Sequence, residues 1–351
     1  MSGSRGYSSY RGRRPTGKIA AAVILILIIL AAVGFMIVQK YLVYDESGTP
    51  QLQLPERQAA SSSADGAVSS GELNLTIDQP KEKPVRAVQL TQTPLTDWTA
   101  GSGQLTAVSA GAACLTVKDA QGHVYYDSAA AAALSDRAVR TESSTAAAIA
   151  AMTASDTYTI ARLDCLRDPV AAKTDQAGMA LENTGGYIFY DGNNDNWLDP
   201  AKPGTVQYLS ALVQECAALG FDEILLTDVT YPTQGKVSKI AYTGSAEDPA
   251  ENLTPLVRSL RTALSDYPEV KLSVELPAAA ITAGGDEKAG ISLNQLAAET
   301  DRIYAQTEAG ESSAFTAAVQ AAAGEKKTGF VPELAAGQTP PQDNAPFLLL
   351  S

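Results

Sequence analysis

The 351-residue sequence predicts an α/β fold: a (β/α)8 barrel of the TIM type, lacking a final outer helix and preceded by a single transmembrane helix. Three observations carry this expectation. From residue 84 onward, eight apolar, β-branched runs alternate with helical patterns, as in a parallel sheet covered on both faces. About 268 residues are available to them, close to the ~250 typical of one such barrel and enough to bury a full core. Upstream, Ile19–Val38 is a run of 20 uncharged residues, enough to cross ~30 Å of hydrocarbon as a helix.

In chain order, residues 1–18 form a basic tail with Arg5, Arg11, Arg13, Arg14 and Lys18, and no acid occurs in the first 40 positions. Past the apolar run come Lys40 and then Asp45 and Glu46, so the positive-inside bias puts the N-terminus in the cytoplasm and the C-terminal domain outside. A cleaved signal peptide is the rival reading. The apolar run exceeds the h-region of roughly 7–15 residues, and Ala-Ala-Val-Gly-Phe-Met is a mediocre cleavage site, which favours an uncleaved signal anchor at residues 19–38 held in the lipid bilayer of the cell membrane. Residues 39–83 are rich in Ser, Gln, Pro, Ala and Asp without an apolar period, the composition of a disordered tether.

Within 84–351, strands are expected near Arg86–Thr91, Ala112–Lys118, Tyr158–Leu163, Glu223–Asp228, Lys271–Leu276, Arg302–Gln306, Gly329–Leu334 and Pro346–Leu350. Between them lie helical patterns such as Ser143–Met152, Thr205–Leu219, Leu253–Asp266 and Ser292–Glu299, with Gly220 as a C-cap. Eight such units argue for closure into a barrel. The sequence stops at Ser351 as the eighth strand ends, so either an upstream segment packs on that strand or the barrel edge is open and marginal.

The net charge is −13, but residues 1–40 hold six of the 26 basic groups and no acid, leaving −19 on the remainder. Such a domain is a poor partner for nucleic acid or anionic lipid, and neutral or cationic ligands suit it better. The three cysteines, Cys114, Cys165 and Cys216, lack metal-ligand spacing and read as buried small hydrophobes; a Cys114–Cys165 disulfide is the lesser alternative. No cofactor or metal is expected.

The most informative stretch runs from Gly185-Gly186-Tyr187 through Trp197-Leu-Asp199-Pro200 to Glu215-Cys-Ala-Ala-Leu-Gly-Phe-Asp-Glu-Ile224, and then Thr227-Asp228-Val229-Thr230-Tyr231-Pro232. It resembles a bacterial family of putative glycoside hydrolase domains, whose members carry a Trp-Val-Asp-Pro turn, a helix ending Glu-Ala-Ala-Glu-Leu-Gly-Phe-Asp-Glu-Ile and a strand closing Asp-Tyr-Val-Arg-Phe-Pro. Val117-Lys118-Asp119 with Gly122 and Tyr126, and Ala161-Arg162 with Asp168-Pro169, extend the resemblance, which weakens after Pro232. It implies a barrel that acts on, or binds, a glycan of the cell envelope.

Barrel enzymes work at the C-terminal ends of their strands. The acids expected there are Asp119, Asp168, Asp228, Glu275 and Glu333. Glycoside hydrolysis needs one protonated and one ionised carboxylate. Asp228 as nucleophile or base and Glu275 as proton donor, with Glu333 in reserve, resemble the α-amylase-like placement of acids on strands four, five and seven. Acids at strand ends are also common solvated groups, so each has a bland reading. Aligned without gaps, the family's fourth-strand Asp falls on Thr227 and its Arg on Thr230; Asp228 replaces the acid only if the strand end is bulged. Thr116 stands where the second strand has lost an acid, and the sixth-strand motif is absent from Ile303–Thr307.

Trp197 beside Asp199 is the preferred sugar platform, with Tyr231, Tyr187 and Tyr190 as others, although all four also suit packing. Asp119 and Asp168 complete the expected substrate-binding set. Asp191–Asp199 has the alternating oxygens of a calcium loop but lacks its sixth-position Gly and twelfth-position acid, so an Asn/Asp turn is favoured. His123 is the sole histidine, with no motif around a serine or cysteine, which excludes a hydrolase triad; Gly284-Gly285-Asp286 is no phosphate loop. Two functional readings follow: a two-carboxylate glycoside hydrolase, or a catalytically inactive barrel that binds glycan or scaffolds envelope proteins.

Overall fold

The computed structural model describes residues 42–44, 50–52, 84–307 and 311–351. The chain divides into two compact units, Met1–Ile77 and Asp78–Ser351. In the first, Leu42–Tyr44 and Pro50–Leu52 pair as a short antiparallel ladder with Val43 opposite Gln51. The stretch read as a tether therefore contains one local element, built on a β-prone Leu-Val-Tyr triplet. The basic tail and the expected membrane segment at 19–38 lie outside the described residues. Among the described residues no helix is long and apolar enough to cross a membrane.

In the second unit, eight parallel strands close a barrel in sequential order. They are β1 (Arg86–Gln89), β2 (Ala112–Lys118), β3 (Tyr158–Asp164), β4 (Glu223–Thr227), β5 (Lys271–Glu275), β6 (Arg302–Gln306), β7 (Gly329–Leu334) and β8 (Phe347–Leu349). The main helices that alternate with them are α1 (Trp98–Ala107), α2 (Thr145–Thr153), α3 (Pro203–Ala218), α4 (Ala250–Ala263), α5 (Leu293–Glu299) and α6 (Ser312–Ala323). The period of two along each strand sorts the side chains. Ala87, Cys114, Ile160, Leu225, Tyr304, Val331 and Leu348 meet inside the barrel, while alternate residues such as Val88, Leu115, Ile224 and Ile303 join the larger core under the helices. All three cysteines are buried free thiols, and burial pushes the Cys114 thiol up to about 12.

Helix α3 begins with Pro203 in its first turn, where a missing N–H costs nothing, and stops before Gly220 at φ +90°. The family-like Glu215 on this helix accepts from Tyr126 Oη (3.0 Å), Ser128 Oγ (2.6 Å) and Ala130 N (2.9 Å), fixing the connection that leaves β2.

The barrel closes through its shortest strand. Leu348 pairs with Glu333 of β7 on one side and Ala87 of β1 on the other, so the edge is not open. No helix occurs in residues 335–346 between β7 and β8. Arg86 takes over that packing: its guanidinium stacks over the Phe347 ring (4.8 Å) and donates to the carbonyls of Asp343, Pro341 (3.1 Å) and Ala345 (3.2 Å). At the barrel floor, fully buried Glu223 accepts from Ser273 Oγ (2.5 Å), Tyr304 Oη (2.9 Å), Tyr158 Oη (2.9 Å) and Arg302 Nη1 (2.6 Å). A buried charge persists there because every oxygen has donors.

Candidate functional site

The inward positions at the C-terminal ends of the strands carry a concentration of charge: Lys118 on β2, Arg162 and Asp164 on β3, Asp228 after β4, Glu275 on β5 and Glu333 on β7. Two cavities open among them. One of about 250 Å³ is lined by Gln89, Thr116, Lys118, Asp164, Asp228, Glu275 and neighbours. The other, about 290 Å³, is lined by Asp228, Val229, Thr230, Glu275, Leu276 and Gln306 among others. Asp228 and Glu275 border both.

Asp228 reaches the mouth by a backbone device other than the expected bulge. Strand β4 ends at Thr227, and Asp228 takes a left-handed conformation at φ +48°. Asp is among the few residues that tolerate this region. Its Oδ2 lies 2.9 Å from Arg167 Nε, although that N–H is not aimed at it, so the contact is ionic and unaligned. Arg167 also faces Asp195 at 3.7 Å.

Glu275 and Glu333 share one cation. Arg162 Nη2 contacts Glu275, and Nη1 lies 3.0 Å from Glu333 Oε1. One guanidinium cannot neutralise two carboxylates, and both acids sit above the usual range. Burial and then the Glu275 charge push Glu333 up to about 7. Burial, partly offset by Arg162 and reinforced by Asp228, raises Glu275. Glu275 is partly exposed to the cavities, whereas Glu333 is enclosed behind Arg162.

Asp164 is a third acid of this cluster, buried, with its Oδ1 lacking any donor. Burial first and the Asp228 charge second hold its carboxyl well above the ordinary value. Lys118 Nζ donates to the Asp164 carbonyl (2.8 Å) and pairs with Asp168 (3.1 Å). Burial works against the Lys118 charge, but Asp168 and Asp164 outweigh it.

The other sequence-derived candidates are distributed differently. Asp119 lines the first cavity, but its carboxylate accepts from Gln121 N, His123 N and Tyr125 Oη at 2.7–2.9 Å and so folds its own turn. His123 faces the same carboxylate at 3.4 Å. Asp168 is buried; it caps Ala171 N (2.7 Å) and contacts Lys118. Trp197 is buried, donating to Asp191 Oδ2 (3.0 Å), and Asp199 is buried with Thr243 Oγ1 (2.7 Å) and Ala201 N (2.9 Å). Tyr231 is buried against Tyr242, its hydroxyl accepting from Asn252 (3.1 Å). Asp168, Trp197, Asp199 and Tyr231 do not line the two mouth cavities. Asp191 spends its carboxylate on the N–H groups of Asn193 (2.8 Å) and Asp195 (2.9 Å) and on Trp197, as in an Asn/Asp turn. Tyr187 and Tyr190 are exposed.

Arg162, Asp164, Lys118 and Arg167 are absent from the expected site. The signal for the β3 pair is period two: Tyr158, Ile160, Arg162 and Asp164 alternate on one face. Ending that strand one residue early, at Leu163, hides the last of them.

Among solved structures, a hypothetical protein from Ruminiclostridium thermocellum is similar at 23% identity, covering 53% of this chain and 96% of its own, with a TM-score of 0.43. A chitinase from Chromobacterium violaceum is 13% identical over 72% of this chain and 68% of its own, TM-score 0.40. The GH20 exo-β-N-acetylglucosaminidase of Vibrio harveyi is 13% identical over 72% and 41%, TM-score 0.46. No curated protein matches the chain. The profile of the family described as "Putative glycosyl hydrolase domain" matches residues 105–306, more than half of the sequence and the span from α1 to the end of β6, and the chain belongs to that family.

Proposed function

We propose that this protein is a membrane-tethered, extracytoplasmic glycosidase of an envelope glycan, with Asp228 as the charged nucleophile or base and Glu275 as the proton donor. The observation that carries the reading is that these two acids alone of the cluster border both mouth cavities. A saccharide lying across the two would present its glycosidic bond to both carboxylates. Together the cavities fall within the ~300–1,000 Å³ typical of small-molecule sites.

The charges divide the labour. Arg167 Nε lies 2.9 Å from Asp228 Oδ2, a cation beside the carboxylate proposed to attack. Glu275 shares the Arg162 cation with Glu333, and burial raises its carboxyl, which favours the protonated form that a donor needs. Two acids whose surroundings drive them to opposite protonation states are the requirement for glycoside cleavage. In that reaction Glu275 gives its proton to the departing oxygen, and Asp228 either bonds the anomeric carbon or takes a proton from the attacking water. The excess of acid at the mouth favours a neutral or cationic sugar. Anchoring through residues 19–38 is supported by the uncharged run and the flanking basic tail.

The test is a panel of neutral and amino-sugar oligosaccharides incubated with the full-length chain, its Asp228→Asn form and its Glu275→Gln form, with product anomers read by NMR. Turnover by the parent and loss of it in both variants is expected. A second reading, glycan binding without cleavage, is favoured by one fact: each acid already faces an arginine. Affinity without turnover, unchanged in Asp228→Asn, would select it.

A further inference from the structure

Away from the mouth, the charge balance of this acidic domain reverses. A cavity of about 270 Å³ between the loops that follow β3 and β4 is lined by Asn183, Thr184, Ile188, Phe189, Tyr190, Lys236 and Lys239, two lysines and no carboxylate. We propose that it is a subsite for an anionic saccharide, a sugar carrying a carboxylate such as a uronic acid, with Tyr190 as the ring platform and Lys236 and Lys239 as the anion clamp.

The platform is built rather than accidental. Tyr187 is 73% and Tyr190 47% exposed, the two largest exposures among bulky hydrophobic residues in the described part of the chain. Tyr187 is nevertheless pinned: Asn183 N donates to its carbonyl (2.8 Å), and Asn183 Oδ1 accepts from Gly185 N (2.8 Å) and Tyr187 N (3.4 Å). Phe189 is buried and forms the floor. These bonds fix the backbone of the segment that carries Tyr190 to the cavity.

The lysines are held by the same small sheet. Glu182–Asn183 pair antiparallel with Ile240–Ala241, and Thr184 N donates to the Lys239 carbonyl (2.8 Å). Val237–Lys239 is a 3-10 turn with Lys236 as its N-cap, and Lys236 and Lys239 both line the cavity. Both are exposed, and neither forms an ion pair with another described residue. Two uncompensated ammonium groups beside flat rings suit a ring bearing negative charge. A concave floor under the tyrosines favours a saccharide over a flat anionic membrane surface.

The subsite connects to the mouth through one short path. Tyr190 precedes Asp191, whose turn presents Asp195 to Arg167, and Arg167 contacts Asp228. The inference thus deepens the glycan reading and rests on it: the glycan would be acidic at one end and neutral or cationic where it meets the carboxylates.

Isothermal titration of the full-length chain with trigalacturonate and with its fully methyl-esterified form, the same rings without charge, tests it. Trigalacturonate should bind at least about tenfold more tightly than the ester. Lys236→Gln with Lys239→Gln should remove that difference. Tyr190→Ala should cost about tenfold for both ligands, with Tyr190→Phe near the parent. Asp228→Asn should keep the preference for acid over ester even where turnover is lost, so loss of the mouth chemistry and loss of this subsite are read separately. Equal affinity for acid and ester, no trigalacturonate binding, or lysine-dependent binding only to phosphatidylglycerol-containing phosphatidylcholine vesicles would each overturn the assignment.

Discussion

Replacing Glu333 by Gln should stabilise the protein at neutral and alkaline pH, and the sign follows from one guanidinium serving two acids. Glu333 is almost fully enclosed, and burial together with Glu275 pushes it from 4.5 up to about 7. The folded protein therefore takes up this proton at a higher pH than the unfolded chain does. Its contribution is most favourable below the unfolded value and is lost as pH rises through the folded one. At ~1.4 kcal/mol per pH unit, the ionised form costs the folded state roughly 3 kcal/mol above neutrality. Gln keeps the shape and still offers an oxygen to Arg162 Nη1, while Glu275 keeps its own contact with the guanidinium. Urea unfolding, followed by fluorescence of Trp98 and Trp197, should show the variant ahead by up to roughly 3 kcal/mol near pH 8, the gap closing towards pH 4.5. Asp164 adds to the slope in both proteins and largely cancels from the difference, whereas Glu275 gains sole use of the Arg162 charge in the variant and shifts the gap in the same direction. A variant less stable than the parent at pH 8, or a gap that ignores pH, would refute the shared-cation account.

Three further outcomes are expected. Glu223→Ala deletes the carboxylate facing Arg302, Tyr158, Tyr304 and Ser273 in the barrel floor, and should cost about 3–5 kcal/mol in urea unfolding. Gly122→Ala places a methyl 2.1 Å from Asp168 Oδ1 at φ +82°; a loss on the order of 1–3 kcal/mol by the same assay is expected, since the strained residue also displaces the partner of Lys118. Under the proposed anchoring at residues 19–38, protease treatment of intact cells should release a soluble fragment of ~30 kDa; protection until the membrane is opened would invert the topology.

The architecture was legible because it is written in periods, and most of the site was not because it is written in contacts. All eight strands fall within a few residues of where alternating apolar runs put them, and the Gly220 stop is where a left-handed residue is required. The family-like run from Trp197 to Glu223 invited a functional reading of Trp197 and Asp199, yet its polar members bond to the scaffold: buried Trp197 to Asp191, buried Asp199 to Thr243, half-buried Glu215 to Ser128 and buried Glu223 to Arg302. A recurring sequence pattern marks what the scaffold needs as readily as what a substrate needs. Asp228 shows the opposite failure. Period two turns it away from the mouth, and only the left-handed turn at φ +48° brings it back beside Arg167. The partner it meets there, Arg167, comes from the loop after β3, which no spacing along β4 records. Arg162 is the sharpest instance. It stands in a run shared with the family and on an inward position, but its meaning comes from Glu275 and Glu333, 113 and 171 residues away. The charge arrangement at the mouth is therefore a property of barrel closure: β3, β5 and β7 must converge before one cation can be shared between two acids.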